Sequence, residues 1–255
     1  MFDNIFELKD KFDSVSKLGY VKAISDNYSA IGETLEKLLG IDANNSTKAD
    51  YKGIEIKVKG SNSNFDISLF SITPKCDKCV FVPEDLLNNY GYYSVKQKRK
   101  VLYSQVFANK IYSGNSKFRF FLNVDKESKK IFLFIFDSSY QIVEKNFFWL
   151  FDDIYARLND KMKFLALVKV SIKNFDNWFY YKYYNIGFYK LKSFDQFIDL
   201  IDKGVVYIDF NIGGYTFDKN TSKIKLDYHG TRFVIPEKDL LLMYDEINLW
   251  YLYVV

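Results

Sequence analysis

The chain has 255 residues, of which 48% are hydrophobic and 27% charged, and a formal net charge of +4. That length and apolar content suffice for a substantial core and exclude a disordered or fibrous protein. With three prolines, 12 glycines and no Ser/Gly-rich or Pro-rich stretch, no flexible linker separates two halves, and one compact unit is expected.

The slight positive charge neither demands nor forbids a nucleic-acid partner, because what matters is where the basic residues cluster. The abundance of Phe (25) and Tyr (21) could provide base-stacking surfaces, but an AT-rich genome accounts for it as well. No run of about eighteen apolar residues occurs, and the start, MFDNIFELKDKF, carries charges throughout. A soluble, cytoplasmic protein is expected.

In chain order, apolar Phe2, Ile5, Phe6, Phe12, Val15 and Leu18 suit one face of an N-terminal helix that acts as a packing arm. GETLEKLLG (residues 32–40) places Leu35, Leu38 and Leu39 at i, i+3 and i+4 between two glycines, which predicts a short amphipathic helix. After a polar loop, YKGIEIKVKG alternates Ile54, Ile56 and Val58 against Glu55, Lys57 and Lys59, the period of a strand. Glu55 and Lys57 therefore share a face. FDISLFSI (65–72) follows SNSN and is expected to pair with that strand as a hairpin.

Cys76 and Cys79 form a lone CxxC, half the ligand set of a structural zinc site, and read as two reduced thiols in a loop. The stretch from Lys75 to Lys110 is less regular. Its basic cluster includes Lys98 and Arg99, either a solvated charge run or a set of phosphate contacts. Two β-prone runs flank VDKES, and a third, about residues 142–150, extends the meander. FDDIYARLNDKM reads as a helix and KFLALVKVSI as a buried strand, an order that suits a parallel crossover onto a mixed sheet. A helix over 193–202, the strand VVYIDFNIGGY, a polar hairpin tip and the run HGTRFVIP complete the chain.

Asp50, Glu55 and Lys57 form the pattern D-x4-E-x-K. A phosphodiester resists attack because its anionic oxygens repel nucleophiles. Two carboxylates converging from a loop end and a strand can hold a hard cation such as Mg2+ beside it, with the carbonyl of Ile56 as a further ligand. Lys57 would then place an ammonium beside the attacking water, and Glu36, on the preceding helix, would orient the lysine or a water. Spacing alone is weak support, since an ExK on a strand is commonly a solvated face. The helix, loop and strand around the three residues strengthen it.

IGETLEKLLGI followed by ADYKGIEIK resembles the signature of the MvaI and BcnI restriction endonucleases, in the MutH-like branch of the PD-(D/E)XK nucleases. In that family G-x-T-[FL]-E-x-L-L precedes P-D-x3-[IV]-E-[IL]-K, which matches Glu36, Asp50, Glu55 and Lys57, with Ala49 in place of the usual proline. SLFSITP, LLNNYG and YHGTRF are similar to the family's later elements, and the resemblance covers most of residues 28–236.

The resemblance implies a mixed α/β (α+β) restriction-endonuclease-like core with a central sheet flanked by helices, and a recognition lobe that forms a DNA-binding cleft. Residues 1–175 would be mainly catalytic and 176–255 mainly recognition. It further implies Mg2+-dependent, site-specific cleavage of double-stranded DNA by a monomer that nicks each strand in turn, at five-base-pair sites with CC on one side and GG on the other. A cognate DNA methyltransferase would be the functional partner, and a MutH-like nicking endonuclease of DNA repair is the alternative.

His229, the only histidine, lies in YHGTRF and is either structural or a base contact, with Gly230 allowing close backbone approach. Arg232 suits either a guanine edge or a phosphate. Lys161 and Lys163 resemble a lysine pair of MutH-like enzymes that would help bind the phosphate, or else they complement a helix C-terminus.

Overall fold

The computed structural model describes residues 1–26, 30–41, 48–61, 63–77, 79–218 and 223–249, without the side chains of residues 218 and 229. These residues divide into two compact units, residues 1–67, 157–192 and 241 onward in the first, and 68–156 with 193–240 in the second. The units interleave along the chain, and residues 175 and 176 lie within a hairpin of the first.

The chain-order elements are α1 (Phe2–Ser16), β1 (Val21–Lys22), α2 (Ala30–Leu39), β2 (Glu55–Gly60), β3 (Ile67–Ser71), β4 (Lys75–Cys76), α3 (Pro83–Tyr90), β5 (Tyr92–Ser94) and β6 (Arg99–Val106). They continue with β7 (Arg119–Asp125), β8 (Lys130–Phe136), β9 (Ile142–Leu150), α4 (Phe151–Arg157), β10 (Phe164–Phe175), β11 (Trp178–Leu191), α5 (Phe194–Asp202), β12 (Tyr207–Asp218), β13 (Lys223–Ile235), α6 (Leu240–Met243) and β14 (Tyr244–Glu246). A π turn, Leu158–Met162, joins α4 to β10.

The first unit is built on a mixed sheet in the order β1-β11-β10-β2, with β14 also paired to β11. β2 runs parallel to β10, Glu55 opposite Leu165 and Lys57 opposite Leu167, while β10 and β11 are antiparallel. As expected, the strand after α4 enters a mixed sheet, parallel to β2, although β9 before that helix belongs to another sheet. One face of this sheet packs against α1 and α2. Buried Ile5, Leu8, Phe12 and Val15 of α1 and Leu35 and Leu39 of α2 meet Ile54, Ile56, Ala166, Val168 and Val170. Each such apolar side chain contributes about 1.5–3 kcal/mol when fully buried, so the alternation of β2 decides which face turns inward. Tyr183 of β11 ties the layers together by donating to Ile31 O at 2.7 Å.

The second unit holds a sheet in the order β3-β13-β12-β6-β5 and another in the order β4-β9-β8-β7. The expected meander, β7 to β9, is antiparallel throughout. Phe233 stacks on Phe70 at 4.9 Å and takes the edge of Trp149, whose indole N–H donates to Ile72 O at 2.8 Å. Ser193 caps α5 by accepting from Gln196 N at 3.2 Å. β12 slips register against β13 around Gly214, which has φ +79°. A Cβ there would fall 2.2 Å from Lys100 O, so only glycine allows the approach.

Two expectations fail. β3 does not form a hairpin with β2; it joins β13 in another sheet, with Ile72 N donating to Thr231 O at 3.3 Å. Cys76 and Cys79 are not two reduced thiols but a disulfide, their Cα atoms 5.3 Å apart within the range a bridge spans. The strand β11 has no counterpart in the sequence reading. Among the described residues no helix is long and apolar enough to cross a membrane.

Candidate active site

Asp50 precedes a tight turn in which Tyr51 and Ile54 exchange backbone hydrogen bonds of 3.0 and 2.7 Å. The turn reverses the chain into β2 and lets Asp50 fold back on the strand, where its Oδ2 accepts from Ile56 N at 2.9 Å. One carboxylate oxygen is thereby fixed. The other, Oδ1, lies 3.9 Å from Lys161 Nζ.

Glu55 opens β2 with its side chain only 1% exposed. Its Oε1 accepts from Lys57 Nζ at 2.7 Å, the contact expected of residues i and i+2 on one strand face. Its Oε2 lies 3.2 Å from Lys161 Nζ, yet it makes no aligned hydrogen bond and is shut off from solvent. Burial pushes the Glu55 carboxyl above the ordinary glutamate range; Asp50 adds to the rise, and Lys57 and Lys161 oppose it. Glu36, half-buried on α2, is raised by burial and then by Asp50 and Glu33, against Lys161 and Lys57. The five groups Glu36, Asp50, Glu55, Lys57 and Lys161 thus act on one another electrostatically.

This donor set fits a hard divalent cation. Glu55 Oε2 is a buried carboxylate oxygen without a hydrogen bond, and the repulsion of Asp50 on Glu55 and on Glu36 is what a cation relieves. Among the described residues no three His, Cys, Asp or Glu side chains converge as a ready-made metal shell. A hard divalent cation held by few protein oxygens keeps waters in its remaining positions, so a full protein shell is not needed for the fit.

Lys161 comes from the π turn. Ala49 N donates to Asp160 O at 3.2 Å, which ties that turn to the residue before Asp50. Proline, usual at that position in the resembled family, has no N–H and could not make this bond. Lys163, exposed, comes directly after the turn, and its carbonyl accepts from Leu191 N at 3.0 Å.

The remaining sequence candidates belong to the second unit. Lys98 is exposed in the β5–β6 turn at φ +53°. Arg99 pairs with Asp227 at 3.3 Å, and Arg232 pairs with Asp209; each arginine keeps a buried Nε without a hydrogen-bond partner. Gly230 has φ +83°, and a Cβ there would meet Ser71 at 3.1 Å, so the close approach its sequence suggested is to β3. The side chain of His229 lies outside the described residues. Tyr244 and the partners Asp209 and Asp227 were missed by sequence reasoning, since no motif or spacing marks them.

A family model described as the MvaI/BcnI restriction endonuclease family matches residues 9–244. The chain belongs to this family. A structure of the restriction endonuclease MvaI in complex with cognate DNA substrate is similar at a TM-score of 0.84 and 25% identity, over 94% of this chain and 96% of that one. A structure of MvaI in the absence of DNA is similar at a TM-score of 0.58 and 25% identity, over 97% and 98%. No curated protein sequence matched. Family membership and the restriction-endonuclease-like fold make the chain a type II site-specific deoxyribonuclease.

Proposed function

We propose that this enzyme hydrolyses both strands of double-stranded DNA at a short site in a Mg2+-dependent reaction, leaving 5'-phosphate and 3'-hydroxyl ends. The observation that carries the reading is the convergence of Asp50, Glu55, Lys57 and Lys161 around a buried carboxylate oxygen that has no hydrogen bond. Asp50 Oδ1, Glu55 Oε2 and the carbonyl of Ile56 would hold the cation. Once bound, Mg2+ supplies charge neutralisation at the scissile phosphate and acidifies water.

Lys57 orients the attacking water and offsets charge on the phosphate oxygens, and Lys161 does the same from the opposite side of Glu55. Glu36 steadies the lysines or a water at the rim. The water oxygen bonds to phosphorus, the bond to the 3' oxygen breaks, and that oxygen leaves with a proton as the 3'-hydroxyl. Lys163 and Lys98 suit phosphate contacts. Arg99, Arg232 and His229 are assigned to DNA recognition, so that the first unit cuts and the second reads the bases.

The MvaI structure with cognate DNA supports double-stranded DNA as the partner. We assign the enzyme to a monomer that nicks the strands in turn at a site with CC and GG flanks, in the cytoplasm, beside a methyltransferase that protects the same site. Incubating purified protein with Mg2+ and unmethylated phage DNA should give discrete bands. Nicked circles without linear product would favour the repair-type nicking reading, and a smear or intact DNA would overturn both.

A further inference from the structure

The π turn Leu158–Met162 is an unusual way to end α4. A π turn inserts one residue into an α-helix and rotates the residues beyond it by about 100° relative to a continuous helix. Such a turn persists only where the surroundings hold it. Here two hydrogen bonds bracket Lys161: Asp160 O accepts from Ala49 N at 3.2 Å, and Met162 O accepts from the Tyr244 hydroxyl at 3.0 Å.

Tyr244 is 1% exposed and opens β14. Its backbone is paired with Leu191 of β11, and Leu191 N donates to Lys163 O at 3.0 Å. Lys192 N closes the same junction by donating to Met243 O at 3.1 Å. The phenol is therefore held against Met162 O, while Leu191, the strand partner of Tyr244, binds Lys163 O, and the ring makes an edge contact with Tyr189. Burial, with Glu55 nearby, holds the phenol far above its ordinary pKa, so it stays protonated as a donor at every working pH. A buried hydroxyl must find a partner, and the carbonyl it found is the one released where the turn leaves helical geometry.

We propose that Tyr244 is a positioning residue for DNA cleavage, its hydroxyl holding the Met162 carbonyl so that the π turn presents Lys161 to Asp50 and Glu55. The proposal rests on the reading of Asp50, Glu55 and Lys161 as the cleaving site. It assigns a part in the reaction to a residue that touches neither DNA nor cation and lies far along the chain from the D-x4-E-x-K pattern. The C-terminal strand becomes a component of the catalytic geometry.

Tyr244→Phe removes one oxygen and keeps the ring packing. Single-turnover cleavage at saturating enzyme, with a duplex the parent cuts, is expected to slow at least tenfold, while affinity measured without Mg2+ changes less than twofold. Lys161→Met is expected to slow cleavage by at least as much, and the double variant to be no slower than Lys161→Met alone within twofold. Deleting exposed Asn159, which removes the extra residue of the turn, tests the same geometry without touching Tyr244 and is expected to match Lys161→Met.

Parental single-turnover rates in Tyr244→Phe or in the deletion would overturn the proposal. So would losses that multiply in the double variant, the mark of a structural effect independent of Lys161. A parental rate in Lys161→Met would instead sink the reading of the site itself, whatever Tyr244 does.

Discussion

Lys161 Nζ lies 3.2 Å from Glu55 Oε2 and 3.9 Å from Asp50 Oδ1, so a single ammonium spans two carboxylates from a different part of the chain. The parallel register that sets Leu165 beside Glu55 makes this possible, since the turn feeding β10 then ends over the start of β2. Glu55→Gln would remove the proposed cation ligand and the shared counter-charge of Lys57 and Lys161. We expect cleavage to fall by at least about 1,000-fold, with DNA affinity kept or increased because the two lysines then carry positive charge that Glu55 no longer offsets. Single-turnover rates and gel shifts check this. Cutting at the parental rate would take Glu55 out of the mechanism.

Glu36 gives a pH-dependent stability effect. Its carboxyl is raised by burial first and by Asp50 and Glu33 next, so the native state binds a proton more tightly than the unfolded chain. The corresponding stability is complete below the ordinary glutamate range and is lost as pH rises through the raised value. Glu36→Gln, which cannot ionise, should therefore melt higher than the parent at pH 8, by a few degrees at most because the exposed part of the side chain is screened. The gap should vanish by pH 4. Thermal melts at both pH values decide it, and a lower melting point at pH 8 would contradict the sign.

Lys98 and Arg99 are neighbours with opposite expected behaviour. Lys98 is exposed in a turn, whereas Arg99 is held by Asp227. Lys98→Ala should weaken DNA binding evenly across sequences and reduce the slope of log affinity against log salt by about 1. Arg99→Ala should leave that slope in place, weaken binding to the cognate site, and lower the melting temperature, because its ion pair with Asp227 is lost. Equal slopes in Lys98→Ala and the parent would remove Lys98 from the phosphate contacts.

The Cys76–Cys79 bridge closes a very short loop in the second unit, beside the pairing of β4 with β9. Its contribution should be about 2 kcal/mol, since loop-closure entropy grows only with the logarithm of loop length. The Cys76→Ser/Cys79→Ser variant should unfold at correspondingly lower denaturant and still cut at the parental rate, because the residues proposed to cleave belong to the first unit. Intact mass without reductant should show no free thiols. Two alkylatable thiols in freshly purified, unreduced protein would contradict the bridge.

Much of the fold was legible because it rests on local periodicity. The alternation in YKGIEIKVKG put Glu55 and Lys57 on one face, Leu35 and Leu39 of α2 marked its buried side although Leu38 beside them is exposed, and Ser193 caps the helix that follows it. β11 escaped notice because its aromatic residues point to both faces and blur the alternation: Tyr181 and Tyr183 are buried while Tyr180 and Tyr184 on the other face are aromatic too. The partner of β3 was misjudged for a related reason. A short apolar run next to a polar loop suits a local hairpin as well as a distant pairing, and tertiary contacts, the packing of Phe70 on Phe233 and the bond from Ile72 N to Thr231 O, go with β13.

By itself, the sequence marked the family, through Glu36 on a helix before Asp50, Glu55 and Lys57 and through the later elements that resemble it. The tertiary structure decided which groups complete the site and what holds them. Lys161 reaches Glu55 through the parallel β2–β10 pairing, Ala49 supplies a backbone donor where its relatives' motif has proline, and Tyr244 fastens the turn from the far end of the chain. The physical reason is one of range. Strand and helix periods are set by neighbours a few residues apart, whereas a buried carboxylate and the ammonium that meets it are brought together by burial of apolar surface contributed by the whole unit.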